Sequence, residues 1–80
     1  MIQKKAMRQY LVRLGANIRT TRKTRKLTQR SVEEAAGWKS NVLSCYENGH
    51  DEPRLSTLLS IAAAMDVDVR ELIPSSEEDK

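Results

Sequence analysis

The chain has 80 residues, 39% of them hydrophobic and 31% charged, which allows one domain with one core and no second catalytic lobe. No apolar run approaches the roughly 18 residues of a membrane span, and the single cysteine, Cys45, cannot form an intramolecular disulfide, so we expect a cytoplasmic protein. The net charge is only +3, but residues 1–30 carry ten basic side chains and no acidic one, which favours a polyanionic partner.

The first helix is predicted over residues 7–26, with residues 1–10 as a basic N-terminal extension. Its apolar residues recur at spacings of four, three and four, as Met7, Leu11, Leu14 and Ile18. Gly15 costs about 1 kcal/mol relative to alanine inside a helix, so it marks either a close packing contact or a break after a separate extension.

Two short helices are predicted next, separated by a glycine turn. Thr28 is expected to cap the second helix, which runs to Ala36, because its hydroxyl can accept from the free amides of the first turn. Gly37 ends that helix. The third helix is predicted over residues 40–47, followed by Asn48 and Gly49 in left-handed conformations.

Pro53 is predicted to open a fourth helix, where its missing amide donor is not needed. The wide apolar face of this helix consists of Leu55, Leu58, Leu59, Ala62 and Met65. Residues 66–68 break it, and Asp68 with Glu71 fits the capping pattern of a fifth, short helix that ends before Pro74. Residues 74–80 form an acidic tail. No segment alternates apolar and polar residues over strand length, so the fold class is all-α with five helices.

Several motifs occur in register over residues 14–73. They are Leu14-Gly15-x-x-Ile18-Arg19-x-x-Arg22-Lys23, Leu27-Thr28-Gln29, Gly37, Leu43-Ser44-x-Tyr46-Glu47-Asn48-Gly49, Pro53-x-Leu55-x-Thr57-Leu58-Leu59 and Val67-Asp68-Val69-x-Glu71-Leu72-Ile73. This arrangement resembles the lambda-repressor-like, Cro/C1-type helix-turn-helix family, also called the XRE family, over about three quarters of the chain. The resemblance implies a compact five-helix domain over residues 11–73. It also implies sequence-specific binding of double-stranded DNA and a role as a transcriptional regulator, with repression as the expected mode.

In this family the third helix enters the major groove, which is about 12 Å wide and admits one α-helix. The residues expected to read bases are Lys39, Ser40, Asn41 and Ser44, with Cys45 beside them. Asn41 can pair with adenine through two hydrogen bonds, and Lys39 can donate to guanine. Leu43 and Tyr46 anchor the opposite side in the core. Taken alone, the four polar residues also fit the solvated face of a surface helix.

Other residues are assigned to the phosphate backbone or to structure. The resemblance implies that Gln29 binds a phosphate at the start of the second helix. It also implies that Arg22 and Glu47 form a structural ion pair between the first and third helices. The remaining phosphate candidates are Arg19, Lys23, Arg25, Arg30, Asn48, His50 and Arg54.

The sequence departs from the family pattern at several positions. Glu33 replaces the small residue that packs the second helix against the third, which puts their angle and the register in question. Lys39 replaces a capping serine, so that Ser40 is the alternative cap. Trp38 is expected in the core, where relatives have an aliphatic residue. Asp51 and Glu52 replace basic residues, which should weaken phosphate contacts after Gly49.

A single helix-turn-helix reads only a few base pairs, so we expect a homodimer on a palindromic operator. The residues suggested for its interface are Leu59, Met65, Val69 and Ile73. We expect no cofactor, no metal, no small-molecule ligand and no membrane partner.

Two other function classes are an enzyme and a protein-interaction module. Catalysis is disfavoured, because one histidine and one cysteine supply no metal cluster and no phosphate loop is present. An antitoxin or co-regulator module whose main partner is another protein remains the alternative.

Overall fold

The computed structural model describes residues 4–74. Within this range the chain forms four α-helices, α1 (Lys4–Thr24), α2 (Gln29–Ala36), α3 (Val42–Glu47) and α4 (Leu55–Met65). A single 3-10 turn follows at Val69–Glu71. Residues 4–74 contain no strand, so the all-α class is confirmed, with four α-helices instead of the five predicted. No helix in this range is long and apolar enough to cross a membrane. Residues 75–80 of the predicted acidic tail lie outside the described residues.

The core is a single apolar cluster to which all four helices contribute. Its buried members are Leu14, Ile18, Val32, Leu43, Leu58, Ile61, Ala62, Met65 and Leu72. The predicted stripe on α1 therefore faces the core at Leu14 and Ile18, while Leu11 is only partly buried at the edge of the cluster. Full burial of one such side chain contributes about 1.5 to 3 kcal/mol.

The first helix begins and ends earlier than predicted. It starts at Lys4, so that the described part of the basic extension continues the same helix, and Gly15 does not interrupt it. It ends at Thr24 because Lys26 takes a left-handed conformation with φ of 60°. The amide of Leu27 then donates to the main-chain oxygen of Arg22 at 3.0 Å, which turns the chain toward α2.

The ends of α2 agree with the sequence prediction. The hydroxyl of Thr28 accepts a hydrogen bond from the amide of Ser31 at 3.0 Å, and the Thr28 amide donates to the Ser31 hydroxyl at 3.1 Å. This reciprocal capping satisfies two backbone donors at the start of the helix. Gly37 ends α2 with φ of 77°, a conformation that costs glycine nothing because it lacks a Cβ atom.

The starts of α3 and α4 were predicted too early. Helix α3 begins at Val42 and not at residue 40, because Asn41 is left-handed with φ of 72°. Helix α4 begins at Leu55 and not at Pro53, with Arg54 in an extended conformation at the N-cap. After α3, Gly49 is left-handed but Asn48 is not, with φ of −92°.

The predicted fifth helix is only the 3-10 turn. Asp68 caps it as expected, since its carboxylate accepts from the amide of Arg70 at 2.8 Å. Hydrogen bonds from Arg70 also lower the pKa of Asp68 below its ordinary value. The segment stays short because Pro74 disfavours a helical conformation at the residue before it, and so few residues cannot offset the cost of helix nucleation.

The end of the described chain packs against α1. The side-chain nitrogen Nδ2 of Asn17 donates to the main-chain oxygen of Leu72 at 3.2 Å, and the hydroxyl of Tyr10 donates to the main-chain oxygen of Pro74 at 3.5 Å. The first and last elements of the fold therefore lie side by side.

Candidate nucleic-acid interface

Helices α1 and α3 touch backbone to backbone at Gly15. A Cβ atom at this position would overlap the main-chain oxygens of Tyr46 and Glu47 at the end of α3. Of the two sequence readings of Gly15, the close packing contact is the correct one. Because α3 has only six residues, it is too short to be stable alone, and such tertiary contacts determine where it lies.

A buried polar cluster holds the C-terminal end of α3. The Nε atom of Arg22 donates to Oε2 of Glu47 at 2.7 Å, and Nη2 donates to Oε1 at 3.2 Å. The two side chains are only 10% and 2% exposed. Arg22 also donates to the main-chain oxygen of Leu27 at 2.8 Å, so that its guanidinium joins α1, the turn after it and α3.

Gln29, at the first position of α2, belongs to the same cluster. Its side-chain nitrogen donates to Oε1 of Glu47 at 3.0 Å. The residue that was expected to contact a phosphate is thus oriented by the carboxylate of the ion pair. Its contact with DNA remains a prediction.

Glu33 holds the other end of α3. It lies on α2, is only 4% exposed, and its Oε2 atom accepts a hydrogen bond from the amide of Leu43 at 2.9 Å. Sequence reasoning expected this residue to disturb the packing of α2 on α3. Instead its carboxylate satisfies one of the free amides in the first turn of α3.

The predicted base-reading residues lie just before α3 and within it. Lys39, Ser40 and Asn41 are exposed, while Ser44 and Cys45 are half-buried. The hydroxyl of Ser44 donates to the main-chain oxygen of Asn41 at 3.0 Å. The five residues thus lie in one short stretch of chain, residues 39–45, which also contains the buried Leu43.

Trp38 closes the turn before this stretch. It is half-buried against the core, and its ring lies 6.2 Å from that of Tyr46 at a tilted angle of 56°. Tilted aromatic pairs at this separation are favourable. The indole therefore packs the turn between α2 and α3 onto the domain.

Exposed cationic side chains lie on α1 and α2, the two helices that pack against α3. Arg19 follows Gly15 by four residues and Lys23 follows Arg19 by four, so both flank the side of α1 that contacts α3. On α2, Arg30 is exposed and pairs with Glu34 at 3.1 Å. The loop after α3 exposes the remaining predicted phosphate contacts, which are Asn48, His50 and Arg54.

Arg25, two residues after Lys23, has an acidic partner at the end of α4. Its Nη2 atom lies 3.7 Å from Oδ2 of Asp66, the C-cap of α4. With a rise of about 1.5 Å per residue, Asp66 lies roughly 18 Å along α4 from Arg54 at the N-cap. The contact of Arg25 with a phosphate stays a prediction, and the interface proposed below omits it.

Met65 was suggested for a dimer interface, but it is 1% exposed and belongs to the core. Leu59 and Ile73 of the same suggestion are exposed, and Val69 is half-buried. Leu55, one turn before Leu59, is the most exposed large apolar residue of the described chain and was not foreseen. The sequence placed Leu55, Leu58 and Leu59 on one apolar face of α4, but only Leu58 is buried.

Similarity to known proteins agrees with this architecture. The profile of a family described as helix-turn-helix matches residues 18–72. The chain is 34% identical over 65 residues to a Sinorhizobium fredii protein named uncharacterized HTH-type transcriptional regulator y4dJ. The aligned residues cover 81% of this chain and 84% of that protein.

Two solved structures are similar in fold. The restriction-modification controller protein C.AhdI from Aeromonas hydrophila has a TM-score of 0.75 and 28% identity over 79% of this chain and 96% of its own. The DNA-binding domain of BldD has a TM-score of 0.74 and 34% identity over 82% of this chain and 96% of its own. The protein therefore belongs to the Cro/C1-type helix-turn-helix family of transcriptional regulators.

Proposed function

We propose that the protein regulates transcription by binding specific double-stranded DNA sites, with α3 in the major groove. The observation that carries the proposal is the exposed stretch Lys39, Ser40 and Asn41, which is followed directly by a helix fixed at both ends by buried carboxylates. Base contacts require side chains that are held in place and free of internal partners. The name of BldD's DNA-binding domain supports the same partner.

The base-reading set is Lys39, Ser40, Asn41, Ser44 and Cys45. The Asn41 amide offers a donor and an acceptor, the pattern that pairs with adenine, and the ammonium of Lys39 can donate to guanine O6 and N7. The hydroxyl of Ser44 already donates to the main chain, so it is left to accept. Cys45 contributes van der Waals contact.

The phosphate-binding set is divided between α1, α2 and the loop after α3. Its members are Arg19, Lys23, Gln29, Arg30, Asn48, His50 and Arg54. Such contacts position the protein and make binding depend on salt without selecting a sequence. Arg30 must exchange its exposed partner Glu34 for a phosphate, which costs little because exposed ion pairs are weak.

The working form that we propose is a homodimer acting as a repressor on a palindromic operator. The exposed apolar side chains of Leu55 and Leu59 on α4, and of Ile73 near the end of the described chain, are the candidates for contact with the partner copy. In this proposal the protein acts in the cytoplasm by occupying DNA and has no catalytic role.

The test is selection of binding sites from a pool of randomised DNA duplexes by the full chain. We expect an enriched palindrome with half-sites about one helical turn apart, bound by two chains. The doubly substituted Lys39→Ala, Asn41→Ala protein serves as the control and should enrich no sequence. Failure of the folded wild-type protein to enrich any sequence would overturn the proposal and favour a protein partner instead.

A further inference from the structure

Helix α3 has no cap of its own. Asn41 occupies the N-cap position, but its left-handed backbone directs no side-chain hydrogen bond to the first turn. The next two residues therefore start the helix with amides that need an acceptor from elsewhere in the fold. Glu33 of α2 supplies it through the 2.9 Å hydrogen bond to the amide of Leu43.

The same residue also holds the turn before α3. The main-chain oxygen of Glu33 accepts from the amide of Trp38 at 2.8 Å. Residues 38 and 43 are thus both fastened to Glu33, one to its backbone and the other to its side chain. The exposed residues Lys39, Ser40 and Asn41 lie on the chain between these two points.

The chemistry of the contact favours a specific role over a general one. Burial of a carboxylate is costly unless hydrogen bonds compensate it, and a smaller apolar residue on α2 would avoid that cost. What the carboxylate provides is a directional, charge-assisted bond to the positive end of α3. Such a bond restricts the position of the first turn more tightly than apolar contact does.

We propose that Glu33 is a positioning residue for base readout, because its backbone and side chain together fix the segment that carries Lys39, Ser40 and Asn41. This inference rests on the proposed function, since it assigns the contact to sequence discrimination and not to stability alone. Without the side-chain bond, the domain keeps its core and its cationic surface. The segment then samples several positions, so that base contacts weaken while phosphate contacts persist.

The test compares Glu33→Ala with Glu34→Ala, which removes the same charge from the next, exposed position of α2. Each full-length protein is titrated with the duplex that the wild-type protein selects and with a scrambled duplex of equal length, at one salt concentration. Loss of a negative charge changes both affinities alike and cancels in their ratio. We expect Glu33→Ala to lower the ratio of specific to non-specific affinity about fivefold or more. Glu34→Ala should leave it unchanged.

Two further variants guard against a protein that does not fold. Glu33→Asp withdraws the carboxylate by one methylene and should lower the ratio as Glu33→Ala does. Glu33→Gln keeps an oxygen acceptor of the same reach and should restore the ratio to within about twofold of wild type. Hydrogen exchange at the Leu43 amide should accelerate in Glu33→Ala and stay slow in Glu34→Ala.

The outcomes distinguish failure of the proposed DNA-binding function from failure of the role assigned to Glu33. If the wild-type protein selects no duplex, the proposed function fails and this inference fails with it. If the wild-type protein selects a duplex but a folded Glu33→Ala or Glu33→Asp protein keeps the wild-type ratio, only the role of Glu33 is overturned. A Glu33→Gln protein that is as defective as Glu33→Ala would also overturn it.

Discussion

Gly15 of α1 and Glu47 of α3 pack with their backbones in contact, leaving no space for a Cβ atom between them. The side chain of the same Glu47 is held by Arg22, two turns further along α1. One helix thus fixes the end of α3 by steric contact at one residue and by an ion pair at another. These contacts determine how far α3 stands from the body of the domain.

Gly15→Ala should destabilise the protein, although alanine favours a helix by about 1 kcal/mol. The added methyl group meets main-chain oxygens that cannot turn away, and such overpacking costs roughly 1 to 3 kcal/mol. Urea unfolding measures the difference. Thr20→Ala, on the exposed surface of α1, is the control and should not destabilise. A more stable Gly15→Ala protein would show that α1 and α3 lie further apart.

Removal of Arg22 should be among the most damaging polar substitutions. Arg22→Met leaves the buried carboxylate of Glu47 with only Gln29 and costs about 3 to 5 kcal/mol. The double substitution Arg22→Met, Glu47→Leu should cost less than the sum of its parts in a double-mutant cycle of thermal unfolding. Arg30→Ala breaks an exposed pair and should cost about 0.5 kcal/mol or less. Additive effects at Arg22 and Glu47 would contradict the coupling.

Asn41→Gly tests base readout without straining the backbone, because glycine accepts the left-handed conformation that Asn41 adopts. We expect a loss of about 1 to 3 kcal/mol on the selected duplex and relaxed preference at one base pair. Binding to a scrambled duplex should remain unchanged. Gel-shift titration against a panel of single-base variants measures both effects. Unchanged affinity for the selected duplex would mean that another residue reads that base.

Arg54→Ala and Arg25→Ala should differ in their effect on DNA binding. Arg54 follows the loop after α3, so its loss should weaken binding to all duplexes. It should also reduce the slope of log affinity against log salt concentration by about 1. Arg25 pairs with Asp66 at the far end of α4, so its loss should leave the slope unchanged. Titrations at several salt concentrations decide between these outcomes. A reduced slope for Arg25→Ala would return Arg25 to the phosphate-binding set.

Leu59→Glu should prevent dimerisation in the proposed arrangement without affecting the fold. The side chain is exposed on α4, so the charge meets water in the monomer but would be buried against a second copy. Sedimentation velocity measures the oligomeric state. Ser60→Glu, at the adjacent exposed position, is the control for added charge. A dimer that survives Leu59→Glu would move the interface to another surface.

Capping residues and glycines in the sequence correctly predicted the helix ends that nearby residues determine. Helix α2 begins after Thr28 and ends before Gly37, as expected, because capping and left-handed turns involve residues close in sequence. The starts of α3 and α4 were missed because Asn41 and Arg54 take conformations that their neighbours do not dictate. Glu33 was recognised as unusual, but its partner Leu43 lies ten residues away and no local rule joins them.

The sequence alone determined the helical class, the apolar stripe on α1 and the family, because hydrophobic periodicity and motif register are properties of the chain itself. Only the tertiary structure decided which polar residues are buried and which acidic partner each paired cation has. The sequence marks Glu33 as unusual and pairs Glu47 with Arg22, but only the fold shows that both carboxylates are buried and gives each the hydrogen-bond donor that compensates its burial. Arg25 looks like its basic neighbours in the sequence, but the fold brings the end of α4 within 3.7 Å of it and gives it Asp66 as an acidic partner.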